Sequence, residues 1–210
     1  MIVEHIPVGL LACNCIVLGD EKTGKAIVID PGDDIDKIEA LLSKHGLTVT
    51  AILATHAHID HVGGLALLKE RTGAPALIHE ADVPLYEALA AQAEWLGVPA
   101  PPVGEIDKNL VDGGSIDFGR LRVDVRHTPG HTPGSVSLVL PQDKPVVFSG
   151  DTLFAGSIGR TDLWGGNFDD IMRSIRGTLM ALPDEALVVP GHGPETTIGA
   201  ERRTNPFITK

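Results

Sequence analysis

The chain has 210 residues, 43% of them apolar, and a formal charge of −11 at pH 7. This size and composition predict one soluble globular domain over residues 1–210 with a substantial core. An acidic chain whose strongest basic cluster is Arg202-Arg203 argues against nucleic-acid binding, and no apolar stretch is long enough to span a bilayer.

Taken in order, Ile2 to Leu18 reads as two strands around Val8-Gly9. Cys13 and Cys15 fall in the second strand. They face the same way there and are poorly placed for a disulfide, which predicts core packing and a reducing cytoplasm. Leu10-Leu11-Ala12-Cys13 faintly resembles a lipoprotein cleavage site. No basic region precedes it, and Glu4 and His5 interrupt the apolar run, so no signal peptide is expected. Ala26–Ile29 is a third strand, ended by Asp30-Pro31-Gly32. Asp30 reads equally as a turn former and as an acid behind a metal ligand. Ile35, Ile38, Leu41 and Leu42 recur at helical spacing up to His45, and Gly46 is a good stop.

The strand Ala51–Ala54 then runs into Thr55-His56-Ala57-His58-Ile59-Asp60-His61-Val62-Gly63-Gly64, and a helix follows from Leu65 to Arg71. Three histidines and a carboxylate at the end of a buried strand have the residue types and spacing of a metal site. In extended chain His56 and His58 point to one side, while Asp60 and His61 can turn toward another point. One loop can therefore start two adjacent metal sites. The helical His-Glu-x-x-His motif is absent.

Beyond it, Ala76–Ile78 is a strand, His79 opens a helix over Val83 to Leu96 in a structural role, and Pro99–Pro102 is a loop. Asp112-Gly113-Gly114 makes a turn between Asn109–Val111 and Ser115–Phe118. Leu121–Arg126 alternates like a half-buried strand. Two Pro-Gly pairs hold His131 in a rigid turn, with His127 the weaker candidate ligand. The strand Val146–Ser149 ends in Gly150-Asp151, Asn167 can cap a helix to about Leu182, and Leu187–Pro190 is followed by Gly191-His192-Gly193. Thr197 is placed to cap a last helix through Arg202. Strands interspersed with helices, carrying polar groups at their ends, predict α/β layers.

His56-x-His58-x-Asp60-His61, then His131, Gly150-Asp151 and Gly191-His192-Gly193, resemble the metallo-β-lactamase fold superfamily over essentially the whole chain. The nearest resemblance is to glyoxalase II-type, hydroxyacylglutathione hydrolase-like enzymes. It implies an αββα four-layer sandwich and two divalent metal ions, zinc first with iron or manganese as alternatives. His56, His58 and His131 would hold one ion, Asp60, His61 and His192 the other, and Asp151 both. Ions about 3.5 Å apart would activate a bridging hydroxide for attack on a carbonyl, with Asp60 orienting it or taking its proton. Class B lactamases of the commonest type carry Cys where Asp151 stands, and diiron flavoproteins of the fold carry Glu where His58 stands, so neither subfamily is expected.

A small-molecule thioester such as S-lactoylglutathione is the expected substrate, since a thiolate leaves without a strong general acid. Arg160 matches the basic position that meets glutathione, where a guanidinium suits a carboxylate. Asp162 and Pro194 replace tyrosines of glutathione-binding relatives, and the chain ends soon after Asn205-Pro206-Phe207, without their extra helical region. Gly159-Arg160-Thr161-Asp162 is shared with persulfide dioxygenases, which hold one iron with residues matching His56, His131 and Asp151. That activity and a lactonase are the rival expectations.

Overall fold

The computed structural model describes residues 1–209, and the chain divides into two compact units. The first comprises Met1–Asn109 with Asp117–Leu121, and the second Leu110–Ile116 with the residues from Arg122 onward. Among the described residues no helix is long and apolar enough to cross a membrane.

In the first unit β1 (Ile2–Val8), β2 (Cys13–Asp20), β3 (Lys25–Ile29), β4 (Thr48–Leu53), β5 (Ala76–Ile78) and β6 (Lys108–Asn109) form one mixed sheet in that order. The first three strands pair antiparallel through tight turns. From β3 onward the pairing is parallel, which requires crossovers. Helix α1 (Ile35–Lys44) joins β3 to β4, and α2 (Ile59–Val62) with α3 (Leu65–Thr72) lies between β4 and β5. As its spacing predicts, α1 buries Ile35, Ile38, Leu41 and Leu42. These pack with Val28 and Ile52 of the sheet and with Leu65 and Leu68 of α3 in one apolar core.

One local expectation fails here for an identifiable reason. The helix expected over Val83–Leu96 breaks at Ala88 into α4 (Val83–Glu87) and α5 (Leu89–Leu96). The Leu85 carbonyl, which a continuous helix would offer to the Leu89 amide, instead accepts from the Gln92 side chain at 2.9 Å and from the Ala88 amide at 3.2 Å. The turn expected between Asn109–Val111 and Ser115–Phe118 forms at Asp112-Gly113, where the Gly114 amide donates to Val111 O at 2.9 Å. β6 joins β5, with Ile78 opposite Asn109, because Asp107 clamps that edge. Its amide donates to Ala76 O (2.9 Å), and its carboxylate accepts from the Ala76 amide (2.8 Å) and Lys69 Nζ (2.7 Å).

The second sheet, most of whose residues belong to the second unit, contains β7 (Ser115–Phe118), β8 (Leu121–His127), β9 (Val136–Leu140) and β10 (Val146–Gly150), followed after the small hairpin β11 (Leu153–Phe154) and β12 (Ser157–Ile158) by β13 (Leu187–Pro190) and β14 (Thr196–Thr197). The strand order is β14-β13-β10-β9-β8-β7. Helix α6 (Phe168–Gly177) packs Ile171 and Ile175 on Val147 and Val188. The Asn167 side chain caps it, accepting from the amides of Asp169 and Asp170. The helix stops at Gly177 and a separate 3-10 turn covers Leu179–Ala181, short of the expected continuous run to Leu182. Thr197 caps α7 (Ile198–Thr204) through the Ala200 amide.

These registers decide where chemistry can sit. β3, β4 and β5 run parallel, so the segments after Ile29, Leu53 and Ile78 share one sheet edge. β8 and β10 are both antiparallel to β9, and β10 is parallel to β13. The segments after β8, β10 and β13 therefore leave from one edge of the second sheet. Ligand sites of open α/β sheets lie at such carboxyl ends.

Asp20, buried at the end of β2, anchors the Asp117–Leu121 segment within the first unit. Its carboxylate accepts from the Arg120 amide (2.9 Å), Nε (3.1 Å) and a terminal guanidinium nitrogen (2.9 Å), and from Thr23 Oγ1 (3.0 Å). The Arg120 guanidinium holds the Asp20 carboxyl well below the usual carboxylate range. A depressed folded-state pKa contributes stability above the unfolded value of about 3.9, and that stability fades as pH falls below it. Asp20→Asn is therefore expected to lower Tm by about 4 °C near neutral pH. The difference from the parent should shrink when the melts are repeated below pH 4; an unchanged difference would show that the charge is not responsible.

Candidate metal centre

The histidine loop leaves β4 at Ala54 and bends at His58, whose extended backbone precedes the first turn of α2. Asp60 and His61 lie in that turn, so they diverge from the extended His56-x-His58 segment as the spacing predicts. The rings gather nonetheless. The centroids of His56 and His58 are 4.9 Å apart in an edge-on contact, and those of His56 and His61 are 4.0 Å apart.

Their orientation comes from Asp30. This residue is fully buried at the end of β3 and takes a left-handed φ of 53°. Its carboxylate accepts from the Thr55 amide (2.7 Å), from Thr55 Oγ1 (2.6 Å) and from His61 Nδ1 (2.9 Å). His61 therefore carries its proton on Nδ1, leaving the Nε2 lone pair for a metal. Thr55 has one hydroxyl proton and gives it to Asp30, so its contact with His56 Nδ1 (3.1 Å) makes His56 the donor. One acid thus fixes the tautomers of two imidazoles, one directly and one through a hydroxyl. Of the two readings that the sequence left open for Asp30, this geometry supports the acid behind the ligand.

The loop backbone is held by residues that the sequence does not single out. The Ala57 amide donates to Asp82 Oδ2 and the Ile59 amide to Gln92 Oε1, both at 2.9 Å, and Gln92 Nε2 returns a bond to Ala57 O at 3.1 Å. Asp82 and Gln92 lie 25 and 33 positions from the amides they bind, and only buried polar side chains in an otherwise apolar segment could have hinted at them. A Cβ on Gly32 would lie 1.6 Å from the Asp60 carbonyl oxygen, so only glycine lets the turn after β3 approach the loop.

The second unit assembles the other three predicted donors. His131 follows β8 in its Pro-Gly turn, Asp151 follows β10 and His192 follows β13. His131 Nε2 lies 3.5 Å and His192 Nε2 3.8 Å from the same oxygen, Asp151 Oδ2. His131 Nδ1 donates to the Arg160 carbonyl at 2.8 Å, so its Nε2 carries the ring's lone pair. A Cβ on Gly159 would lie 1.8 Å from the Asp151 carbonyl oxygen, the counterpart of the Gly32 contact.

Arg160 thus touches this cluster through its backbone. Its guanidinium forms a two-pronged ion pair with Asp162, at 2.8 and 2.9 Å, which holds the Asp162 carboxyl down to about 2. Three of the other four histidines have structural partners. His79 Nδ1 accepts from the Ala81 amide at the start of a 3-10 turn (3.2 Å), His45 meets Glu4 (2.9 Å), and His127 Nε2 meets Pro133 O (2.9 Å). Cys13 and Cys15 are buried free thiols on β2, and burial pushes Cys13 up to about 11. Cys13 Sγ also lies 3.4 Å from His61 Nδ1.

Nitrogen donors with settled tautomers, joined by carboxylates, are the chemistry of divalent metal binding. Residues 8–192 match the metallo-beta-lactamase superfamily. The chain is 37% identical over 215 residues to hydroxyacylglutathione hydrolase GloC of Haemophilus influenzae, covering 99% of this chain and 98% of that protein. The crystal structure of BLEG-1 B3 metallo-beta-lactamase is similar with a TM-score of 0.92 at 37% identity, over 100% of both chains. TTHA1623, solved in a di-iron-bound form, is similar with a TM-score of 0.87 at 41% identity, over 98% of this chain and 100% of that one. With donors of this kind at the strand ends and a family match over most of its length, the chain belongs to the metallo-beta-lactamase superfamily, as a metal-dependent hydrolase with that family's α/β fold.

Proposed function

We propose that this protein is a dinuclear hydrolase of small thioesters of the S-lactoylglutathione kind, working in the cytoplasm. The observation that carries the reading is Asp151 Oδ2, one carboxylate oxygen with the Nε2 atoms of two histidines at 3.5 and 3.8 Å. In the family order of ligands those histidines serve different ions, so Asp151 is suited to serve both. In this reading His56, His58 and His131 hold one ion and Asp60, His61 and His192 the other. Zinc suits these donors, and the di-iron form of TTHA1623 keeps iron as the alternative. Likeness to GloC along nearly the whole chain supports the thioester.

When bound, the two ions supply Lewis acidity and lower the pKa of a coordinated water to about 7. Asp60 orients the attacking water and takes its proton. The leaving thiol has a pKa of about 8.5, so the reaction asks for no dedicated acid. Arg160 is the group proposed to meet a carboxylate of the thiol portion. Because Asp162 already occupies its fork, a substrate carboxylate has to displace or share that partner, which predicts a modest contribution.

A second reading, a persulfide dioxygenase with one iron on His56, His131 and Asp151, is favoured by Gly159-Arg160-Thr161-Asp162. A lactonase of the same fold separates from both on a substrate panel.

Metal analysis of the purified protein is expected to find two ions per chain and turnover of S-lactoylglutathione. His58→Ala should reduce kcat/KM by about 100-fold or more and lower the metal content. A single iron, with oxygen uptake on glutathione persulfide and no thioester cleavage, would falsify the hydrolase in favour of the second reading. Asp30→Asn keeps the shape and removes the charge behind His61. Competitive chelator titration should show metal affinity about 10- to 100-fold weaker. Parent-like affinity would demote Asp30 to a turn former.

A further inference from the structure

The second unit buries a carboxylate that takes no part in the hydrolysis, that of Glu201 in the first turn of α7. Its Oε2 accepts from the Gly156 amide (2.9 Å) and from Asn205 Nδ2 (2.7 Å), and its Oε1 accepts from Thr196 Oγ1 (2.6 Å). Asn205 is buried as well, and the same Nδ2 donates to Ser157 O at 3.0 Å. Burying a carboxylate is costly unless its oxygens are engaged. The helix does not need it as a cap, because Thr197 already fills that place.

The partners of Glu201 are telling. Parallel pairing of β10 with β13 ends with Gly150 opposite Pro190, and the Gly191 amide adds one bond to Gly150 O at 2.8 Å. Asp151 and His192 lie just past that point. The chain after Asp151 enters the β11–β12 hairpin, with Gly156 in its turn and Ser157 at the start of its return strand. The chain after His192 enters β14, which pairs back on β13 with Thr196 opposite Val188. Glu201 therefore ties the segment that follows one candidate donor to the segment that follows the other. The hairpin it holds leads on to Arg160, whose carbonyl orients His131.

We propose that Glu201 is a positioning residue for the metal centre, fixing the spacing of Asp151 and His192 by clamping the two segments that follow them. The inference rests on the reading of those two residues as metal donors. The clamp works through hydrogen-bond geometry rather than charge. Glu201→Gln keeps one oxygen to accept both N–H groups and places an N–H donor against the Thr196 hydroxyl, which can turn to accept it. Glu201→Ala leaves all three donors without this acceptor and unties the two segments.

The test is competitive chelator titration of the full chain with zinc, run well below the melting temperature. Glu201→Ala is expected to bind zinc about tenfold more weakly than the parent and to alter the visible absorption of the cobalt-substituted protein, while Glu201→Gln stays within about twofold of the parent. Thr196→Val loosens the His192 side alone and should weaken binding about threefold; it replaces Glu201→Ala if that variant does not fold. Ile198→Val, a core change on the same helix, should lower Tm and leave the affinity unchanged. The proposal is overturned by parent-like affinity in Glu201→Ala, or in Thr196→Val where the alanine variant does not fold. It is equally overturned if Glu201→Gln binds as weakly as Glu201→Ala, or if Ile198→Val weakens binding as much. A parent that takes up no divalent ion overturns the metal reading itself, and this proposal with it.

Discussion

The hydrogen bonds of the Asp30 carboxylate set the geometry of the histidine loop. Burying a carboxylate without partners costs several kcal/mol, and a left-handed φ at a non-glycine residue costs about a further 1–2 kcal/mol. Both are tolerable only because the carboxylate is fully engaged, by a backbone amide, a hydroxyl and an imidazole. The same three bonds select the tautomers of His61 and His56. The local fold and the orientation of two imidazoles therefore depend on one side chain.

The second unit solves the same problem with different chemistry. A peptide oxygen, that of Arg160, accepts the hydrogen bond from His131 Nδ1. A neutral acceptor fixes the tautomer but raises the basicity of the imidazole less than a carboxylate does. On this ground His61 is the stronger electron donor of the two. Each unit also uses one glycine as a spacer against an acidic site residue. Gly32 presses on the backbone of Asp60 and Gly159 on that of Asp151, at distances no Cβ can occupy. Substitution at either glycine would move an acid before it altered any ligand atom.

Arg160 illustrates how one residue can serve two scales. Its carbonyl orients the His131 ring, while its side chain is closed on Asp162 two positions later. The ion pair is exposed and contributes little to stability. Its consequence is for recognition, because any carboxylate arriving at this guanidinium competes with an internal partner.

The candidate donors themselves were legible in the chain. Histidine is scarce and metal chemistry demands it, so His56-x-His58-x-Asp60-His61, His131, Asp151 and His192 stand out by type, spacing and position after apolar runs. The core strands and α1 were legible too, since hydrophobic periodicity acts over a few residues. Other features required the tertiary structure. The pairing of β6 with β5 and the support of the loop by Asp82 and Gln92 rest on hydrogen bonds between groups distant in sequence, and the break at Ala88 rests on a side-chain bond from Gln92 that replaces a helical one. Whether Asp30 merely turned the chain or oriented an imidazole was likewise a question of through-space distance. Residue type is written in the chain, but a hydrogen bond exists only where folding brings its two ends to about 3 Å.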